Sequence, residues 1–318
     1  MNWISIGLML VLIWCVGCEP SGETVEPEVV LEHDGAWHDL YWTDNDEIIA
    51  VGGQSWYRGD VAWSDDGGAS WRVDSVTSKA MYGVAVRGSD RIAVGIDGQL
   101  MQGENGIEWR KWRVPYWRVL LDVGLHPEED YFIAVGGKRF KNGVIQVVSL
   151  PDFKVVLYDT LENGLEAVHH VAGDRWVAAG YGRVLTSEDG GLHWQQQIPA
   201  QAYFTTLYFE SSGKGWMASQ YGGLWRSDNG GQQWIELRAP KTTFSTRGFR
   251  DLTRDEEGVL WLAGDQGTLA YSKNEGKDLH FLMIKGEPDI RALVVKNNQI
   301  LLATRSGELL RLPYPEDL

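Results

Sequence analysis

Three acidic turns carry residue types that could bind a cation. The segments SDDGGASW (64–71), SEDGGLHW (187–194) and SDNGGQQW (227–234) share the pattern S-x-D/N-x-G-x-x-W. A calcium loop needs oxygen ligands at alternating positions over a longer stretch, and these turns lack them. The pattern instead favours structural turns, in which the acidic or amide side chain accepts hydrogen bonds from its own backbone. The residues assigned to these structural Asp-box turns are Ser64, Asp66, Gly68, Trp71, Ser187, Asp189, Gly191, Trp194, Ser227, Asn229, Gly231 and Trp234.

The other residues capable of catalysis show no spacing that identifies an active site. A glycosidase needs two carboxylates roughly 5 to 10 Å apart in a cleft. The carboxylates that remain open for such a pair are Asp97, Glu166, Asp251 and Asp265. The seven histidines have no metal-ligand spacing, and adjacent His169 and His170 would point to opposite faces of a strand. We predict no catalytic residue, no metal and no cofactor.

A repeated apolar strand reveals the elements that must position these turns. Copies such as IIAVG, RIAVG and FIAVG recur every 40 to 44 residues. The seven copies end at Gly52, Gly95, Gly136, Gly180, Gln220, Gly264 and Thr304. Each unit adds further short β-rich runs between turns, and none has a sustained helical period. Four strands every 40 to 45 residues indicate an all-β, seven-bladed propeller of four-stranded antiparallel blades over residues 27–318.

The two ends of the repeat array predict how the ring closes. The seventh unit has three strands, at 290–295, 299–303 and 307–312, and the strand-like PEVVLEH (27–33) precedes the first unit. We expect this N-terminal strand to complete blade 7, because the pairing would remove an open sheet edge. Eight blades or an open solenoid is the alternative.

The loops that enter the inner strands are the expected binding face. Aligning the repeats predicts a ring around the central opening formed by His38, Tyr82, Arg118, Glu166, Thr205, Arg250 and Arg291. Neighbouring loops add the partner-binding candidates Trp56, Tyr57, Arg58, Trp117, Arg139, Tyr181, Tyr221 and Arg247. Arginine and aromatic residues dominate protein interfaces, and forked arginine contacts suit a carboxylate. The hypothesis is a pocket for an acidic peptide segment. The alternative is that the arginines pair with Glu166, Asp251 and Asp289 and stabilise the rim.

The repeat resembles a known family. The form AVG-x-x-G-x-ϕ-x-x-S-x-D-G-G-x-x-W is clearest at 176–194 and 215–234 and is similar to the photosystem II stability/assembly factor family and its bacterial relatives, propellers with Asp-box (BNR) repeats. The resemblance covers nearly all of residues 27–318. It implies a lumenal or periplasmic propeller that acts as a non-catalytic assembly chaperone for membrane proteins and contacts partners through arginines on one face.

The combination of Asp-box turns and arginines also resembles sialidases. These enzymes also need a Tyr/Glu nucleophile pair and an acid Asp, and they usually have six blades and an F/Y-R-I-P motif that is absent here. The prediction is therefore a membrane-tethered, non-catalytic propeller that binds a protein partner, as an assembly or stability factor for an envelope membrane protein or complex. A carbohydrate-binding or glycan-cleaving propeller is the alternative.

The N-terminus predicts export. Met1–Gly17 has no charged side chain, and its apolar run from Ile4 to Val16 is shorter than the ~20 residues of a membrane span. It suits a signal peptide. A small residue before Cys18 resembles the lipobox of bacterial lipoproteins, which implies a signal over 1–18 and acylation of Cys18. An ordinary secretory signal or an uncleaved anchor is the alternative. The polar segment 19–26 is expected to be a flexible linker.

Charge and cysteine content limit the remaining classes. The net charge of −15 argues against nucleic-acid binding and against charge-driven attachment to anionic lipid. Both cysteines lie within the first 18 residues, so the body has no disulfide. We expect a monomer that is lipid-anchored to a bacterial envelope membrane, at the outer membrane or periplasmic face, or is otherwise periplasmic.

Overall fold

The computed structural model describes residues 22–104, 108–114, 116–138, 141–240 and 247–315. These residues form seven sheets of four antiparallel strands, and one sheet carries a fifth strand. The predicted seven-bladed propeller is confirmed. No helix in the described ranges is long and apolar enough to cross a membrane.

The strands follow the chain blade by blade, after two N-terminal strands. The N-terminal strands and those of blades 1 and 2 are β1 (Glu23–Val25), β2 (Glu28–Glu32), β3 (Ala36–Trp42), β4 (Ile48–Gln54), β5 (Arg58–Ser64), β6 (Arg72–Thr77), β7 (Met81–Arg87), β8 (Asp90–Gly95), β9 (Gln99–Glu104) and β10 (Glu108–Arg113). Blades 3 and 4 consist of β11 (Leu120–Leu125), β12 (Tyr131–Lys138), β13 (Lys141–Ser149), β14 (Lys154–Leu161), β15 (Leu165–Ala172), β16 (Arg175–Gly180), β17 (Arg183–Ser187) and β18 (Gln195–Gln197). Blades 5 to 7 consist of β19 (Phe204–Phe209), β20 (Gly215–Ser219), β21 (Leu224–Ser227), β22 (Ile235–Arg238), β23 (Phe249–Arg254), β24 (Leu260–Gly264), β25 (Thr268–Ser272), β26 (His280–Ile284), β27 (Ile290–Lys296), β28 (Gln299–Thr304) and β29 (Glu308–Pro313).

The core lies between the blades. The second strand of each blade is apolar on both faces, so one face packs on the preceding blade and the other on the following blade. Gly52 lies two residues before the end of β4, where a Cβ atom would collide with the carbonyl oxygen of Ala36 on the inner strand. This close approach explains the repeated glycine. In blade 5 the equivalent residue is Ser219, which pairs with Phe204, rather than the expected Gln220.

The N-terminal strand closes the ring as predicted. Strand β2 pairs antiparallel with β29, from Glu28 opposite Arg311 to Glu32 opposite Glu308. The chain then crosses to blade 1, where the Trp37 indole Nε1 donates to the Gly307 carbonyl at 3.1 Å. Blade 7 is therefore built from both ends of the chain. Strand β29 is paired on both of its edges, with β2 on one side and β28 on the other.

The segment expected to be a flexible linker contains a strand. Within 19–26, the residues of β1 pair in parallel with β26 of blade 6, and Glu26 forms an ion pair with Lys285 at 2.7 Å. Val25 packs against the apolar cluster between blades 6 and 7. Polar composition hid this strand, because its packing rests on one partly buried valine.

The Asp-box turns form the hydrogen bonds expected of structural turns. In blade 1 the Gly68 amide donates to Ser64 Oγ at 2.8 Å, and the Ser70 amide donates to Asp66 Oδ1 at 2.9 Å. The Trp71 indole donates to the Gly68 carbonyl at 3.1 Å. Blades 4 and 5 repeat the two amide bonds. Blade 6 repeats them in the degenerate copy that begins at Ser272, although leucine replaces the tryptophan.

A buried glutamine between blades 2 and 3 offers a test of the packing. Gln146 is fully buried, and among the described residues neither of its amide atoms has a hydrogen-bond partner. It pairs with Ala134, just as Leu185 pairs with Ala178 in blade 4. We expect Gln146→Leu to raise the free energy of unfolding by about 1–3 kcal/mol, because it removes an unsatisfied buried amide. Urea titration measures this, with exposed Gln195→Leu as control. A destabilised Gln146→Leu would show that an internal water satisfies the amide.

Candidate functional site

One β-bulge in each inner strand builds the ring around the central opening. In all seven inner strands the pairing with the second strand shifts near the strand's start, which leaves one residue unpaired. Bulges redirect side chains in this way. The seven bulge residues line a central cavity of about 1800 Å³. They are His38, Tyr82, Leu121, Glu166, Thr205, Arg250 and Arg291.

The ring matches the prediction at six positions and differs in blade 3. Leu121 takes the place expected for Arg118, because Leu120 pairs with Gly136 as Trp37 pairs with Gly52. Arg118 lies before the strand, where its carbonyl accepts the Gly98 amide at 2.6 Å. The alignment placed the inner strand of this blade three residues too early.

Arg250 is held by a carboxylate. Its Nε lies 2.9 Å from Asp265 Oδ1 and its Nη2 lies 2.6 Å from Asp265 Oδ2, a forked pair. Its partner is therefore Asp265 rather than Asp251. Because Asp265 occupies the fork, Arg250 contributes little unpaired charge to the cavity.

Arg291 has no such partner. Its shortest contacts with described carboxylates are 3.8 Å, to Asp265 and to Asp289, beyond hydrogen-bond distance. Four fifths of its side chain is buried. Burial and the neighbouring Arg250 lower the pKa of Arg291, and Arg305 adds to this effect. The cavity is thus lined by a largely buried guanidinium whose nearest described carboxylates lie beyond hydrogen-bond distance.

His38 borders this guanidinium without adding charge. His38 packs against Tyr82, with ring centroids 4.5 Å apart. Burial, together with Arg291 and Arg305, lowers the pKa of His38 to about 3. The imidazole is therefore neutral at neutral pH, and it can accept or donate one hydrogen bond beside the arginines.

A tyrosine and a glutamate form another contact in the same cavity. The Tyr203 hydroxyl donates to the Glu166 carboxylate. Tyr203 is buried, and it lies beside Tyr181, whose ring centroid is 6.0 Å away.

Three aspartates lie one residue beyond the bulges of blades 1, 3 and 6, and all line the cavity. Asp122 shows the pattern, because its Oδ1 accepts the amide of Val123 and its Oδ2 accepts the amide of Val168 in blade 4, both at 2.8 Å. Asp39 and Asp251 bridge their own blades to blades 2 and 7 in the same way. The sequence analysis did not predict this role. The signal that could have revealed it is an aspartate directly before an apolar residue near the start of the inner strand.

Burial outweighs these hydrogen bonds in setting the acidity of the aspartates. It raises the pKa of Asp122 to about 7 and that of Asp251 to about 6. A carboxyl group whose folded pKa is raised stabilises the fold below its unfolded pKa, and this contribution disappears as pH rises through the folded pKa. The buried histidines act in the opposite sense, because the pKa of His169 is lowered to about 4.

The contribution of Asp122 can be isolated with Asp122→Asn. Between about pH 4 and 7, the free energy of unfolding of the wild type minus that of the variant should fall as pH rises. Urea titrations at several pH values measure this difference, and the histidine contributions cancel in it. A difference that rises near pH 4 and is then constant would mean that the pKa of Asp122 is not raised, as expected of a carboxylate satisfied by its two amide donors.

Exposed aromatic residues gather on the face of the ring. Large exposed aromatics in the described residues all lie in loops on this face, with Tyr57 at 82% and Trp117 at 69% exposure. The full set is Trp56, Tyr57, Tyr116, Trp117 and Tyr181. Lys138 and Lys141, on the hairpin of blade 3, line the cavity from the same side. We call this surface the binding face, and the opposite surface, which bears the Asp-box turns, the Asp-box face.

The remaining candidates are placed as follows. Arg58 pairs with Asp34 and with buried Asp60, so it has a structural role at the ring closure. Tyr221 and Arg247 are partly buried residues of loops on the binding face and do not line the cavity. Arg139 and Cys18 lie outside the described residues.

The carboxylates considered for a catalytic pair make other contacts. Asp97 forms an ion pair with Lys79, Asp265 binds Arg250, and Asp251 accepts backbone amides. Within the ranges that the structure describes, no group of three or more His, Cys, Asp and Glu residues could hold a metal ion.

Comparisons with known proteins bear on the fold. No family model matches the sequence, and no curated protein matches it. A solved structure described as YCF48 bound to D1 peptide superposes with a TM-score of 0.70 and 17% identity, and the match covers 94% of this chain and 99% of that one. The crystal structure of the computationally designed Ika8 protein matches with a TM-score of 0.60 and 12% identity, over 92% of this chain and all of that one. At these identities the comparisons establish a β-propeller fold.

Proposed function

We propose that this chain is a non-catalytic propeller that binds a protein partner through its binding face. In this proposal, acylated Cys18 tethers it to a bacterial envelope membrane, where it serves as an assembly or stability factor for a membrane protein or complex. The observation that carries the proposal is Arg291, a largely buried guanidinium without a close carboxylate, at the centre of a face rich in exposed aromatics.

The chemistry of the face favours an acidic peptide segment as the ligand. Five lysine and arginine side chains line the cavity at the end of the binding face, and a sixth, Arg87, lines it at the opposite end; four aspartate and glutamate side chains line the same cavity, in a chain whose net charge is −15. Three of those four carboxylates accept backbone amides of the cavity wall. Arg291 and Arg305 can hold a carboxylate with forked contacts, and the aromatic rings can cover the neighbouring apolar residues.

The comparisons are consistent with this reading. The YCF48 structure is described as bound to a peptide, and it shares the fold over nearly the whole chain. The repeat pattern independently resembles an assembly-factor family. Together with the open site at Arg291, these findings support a protein ligand.

Capture from native envelopes tests the proposal. Tagged mature protein, Arg291→Ala and the control Arg72→Ala are compared, because Arg72 carries the same charge on an exposed outer strand. A membrane protein captured by the wild type and by Arg72→Ala, but not by Arg291→Ala, is the expected result. Equal capture by all three would place the docking surface elsewhere, and capture of no protein would overturn protein binding.

The contact between Tyr203 and Glu166 favours one second candidate, a glycan-cleaving enzyme. Sialidases use a tyrosine nucleophile, and here the hydroxyl is paired with a glutamate near Arg250. Protein binding is preferred because Arg118 does not join the ring and Asp265 already occupies Arg250. Hydrolysis of a fluorogenic sialoside by the wild type, lost in Tyr203→Phe, would reverse this preference.

A further inference from the structure

Strand β1 fixes the direction in which the chain approaches the propeller. It runs parallel to β26, with Glu23 opposite Leu282 and Val25 opposite Ile284. Strand β26 begins at His280, directly after the turn on the Asp-box face, and runs towards the binding face. The residues before β1 therefore approach from the side of the Asp-box face.

The start of the described chain lies near that face. A Cβ atom on Gly22 would collide with the carbonyl of Phe281, the second residue of β26. Gly22 is therefore only about one residue, or ~3 Å, further along the blade than His280, where β26 leaves the Asp-box turn. The Glu26–Lys285 ion pair and the packing of Val25 hold the segment against the blade.

The distance between Gly22 and a lipid on Cys18 is short. Four peptide units span at most ~14 Å when fully extended. A tether of this length reaches past the Asp-box face, whereas it would have to turn back along blade 6 to reach the binding face. The exposed aromatics also belong to the loops of blades 1 to 4, and none of them lies on blade 6.

We infer that the tethered propeller stands with its Asp-box face towards the membrane and its binding face directed away from it. This inference rests on the proposed lipid tether at Cys18. Its consequence is specific: the partner segment must be a solvent-exposed part of the membrane protein that projects beyond the bilayer surface, rather than a lipid-facing part.

The main alternative is an orientation in which the binding face lies on the membrane, because the residue types of this face would suit that contact. Exposed tryptophan and tyrosine with nearby lysine and arginine are also typical of surfaces that sit in the membrane interface. A face that docked on lipid would bring Trp56, Tyr57 and Trp117 to the headgroups. The direction of β1 opposes this arrangement.

Fluorescence quenching in vesicles decides between the two orientations. Both cysteines of the sequence lie within residues 1–18, and Cys18 is blocked when acylated, so an introduced cysteine is the single free thiol of the mature lipoprotein. Labelled Lys277→Cys reports on the Asp-box face of blade 6, and labelled Tyr181→Cys reports on the binding face. Lipidated mature protein is reconstituted into phosphatidylethanolamine–phosphatidylglycerol vesicles that contain lipids spin-labelled at the headgroup. The unlipidated control is a variant that begins at Glu19 and so lacks both the apolar segment and the two native cysteines.

The outcomes separate the orientation from the tether. We expect loss of fluorescence for the label at position 277, none for the label at 181, and none for either label in the variant that begins at Glu19. Quenching at 181 rather than at 277 would overturn the orientation and leave the tether intact. Failure of the wild-type background to bind vesicles would overturn the tether, and the inference with it.

Discussion

Arg291→Ala is expected to weaken binding of the captured partner at least about 30-fold without destabilising the propeller. Removal of one partner of a buried, hydrogen-bonded charge pair costs roughly 2–5 kcal/mol of binding free energy. In the free protein the same side chain lies 3.8 Å from its nearest described carboxylates, and burial together with Arg250 lowers its pKa. Its removal therefore relieves repulsion between neighbouring arginines and breaks no close ion pair.

The two effects are measured on the same preparations. Titration calorimetry gives the affinity for the partner, and urea titration gives the free energy of unfolding. Arg291→Lys is the matched variant, because it keeps the charge but loses the fork, and it should retain part of the affinity. A large loss of stability in Arg291→Ala would assign the residue to the rim and contradict a binding role.

Asp60→Ala is expected to lower the free energy of unfolding by about 3–5 kcal/mol. Asp60 is fully buried and lies 2.8 Å from Arg58 Nε, 2.9 Å from His33 Nε2 and 2.7 Å from Ser75 Oγ. These contacts join the residue after the closing strand β2 to two strands of blade 1. Truncation leaves a guanidinium, an imidazole and a hydroxyl without their shared acceptor at the point of ring closure.

Asp34 supplies the matched control for this prediction. It also pairs with Arg58 but is 69% exposed, so Asp34→Ala should change the free energy of unfolding far less than Asp60→Ala does. Chemical denaturation of both variants measures the contrast. Equal effects of the two substitutions would show that the charge on Arg58, rather than the buried acceptor, controls the closure.

Local patterns determined the architecture of this protein. The period of the AVG-type strands gave the number of blades, because an apolar strand of fixed length followed by a tight turn depends only on neighbouring residues. The strand-like segment before the first repeat predicted closure, since the last blade lacked one strand. The Asp-box turns were also local, because their hydrogen bonds lie within four residues of one another.

The sites that depend on pairing between strands were less predictable. The ring residue of blade 3 was misplaced because the bulge is set by the pairing of Leu120 with Gly136 across a 16-residue separation. The bridge from Asp122 to Val168 joins residues 46 positions apart, in different blades. Strand β1 escaped notice because its partner, β26, lies at the opposite end of the chain.

The sequence alone therefore determined the propeller, its closure and the face that carries arginine and aromatic residues. Only the tertiary structure decided which arginine has a carboxylate at hydrogen-bond distance, because Arg250 and Arg291 occupy equivalent bulges and differ in what surrounds them. Asp265 forms a fork with Arg250 at hydrogen-bond distance, and it lies 3.8 Å from Arg291. The distances from the Asp265 carboxylate to the two guanidinium groups differ by about 1 Å. That difference is set by how the two blades pack, and no local pattern in the sequence encodes it.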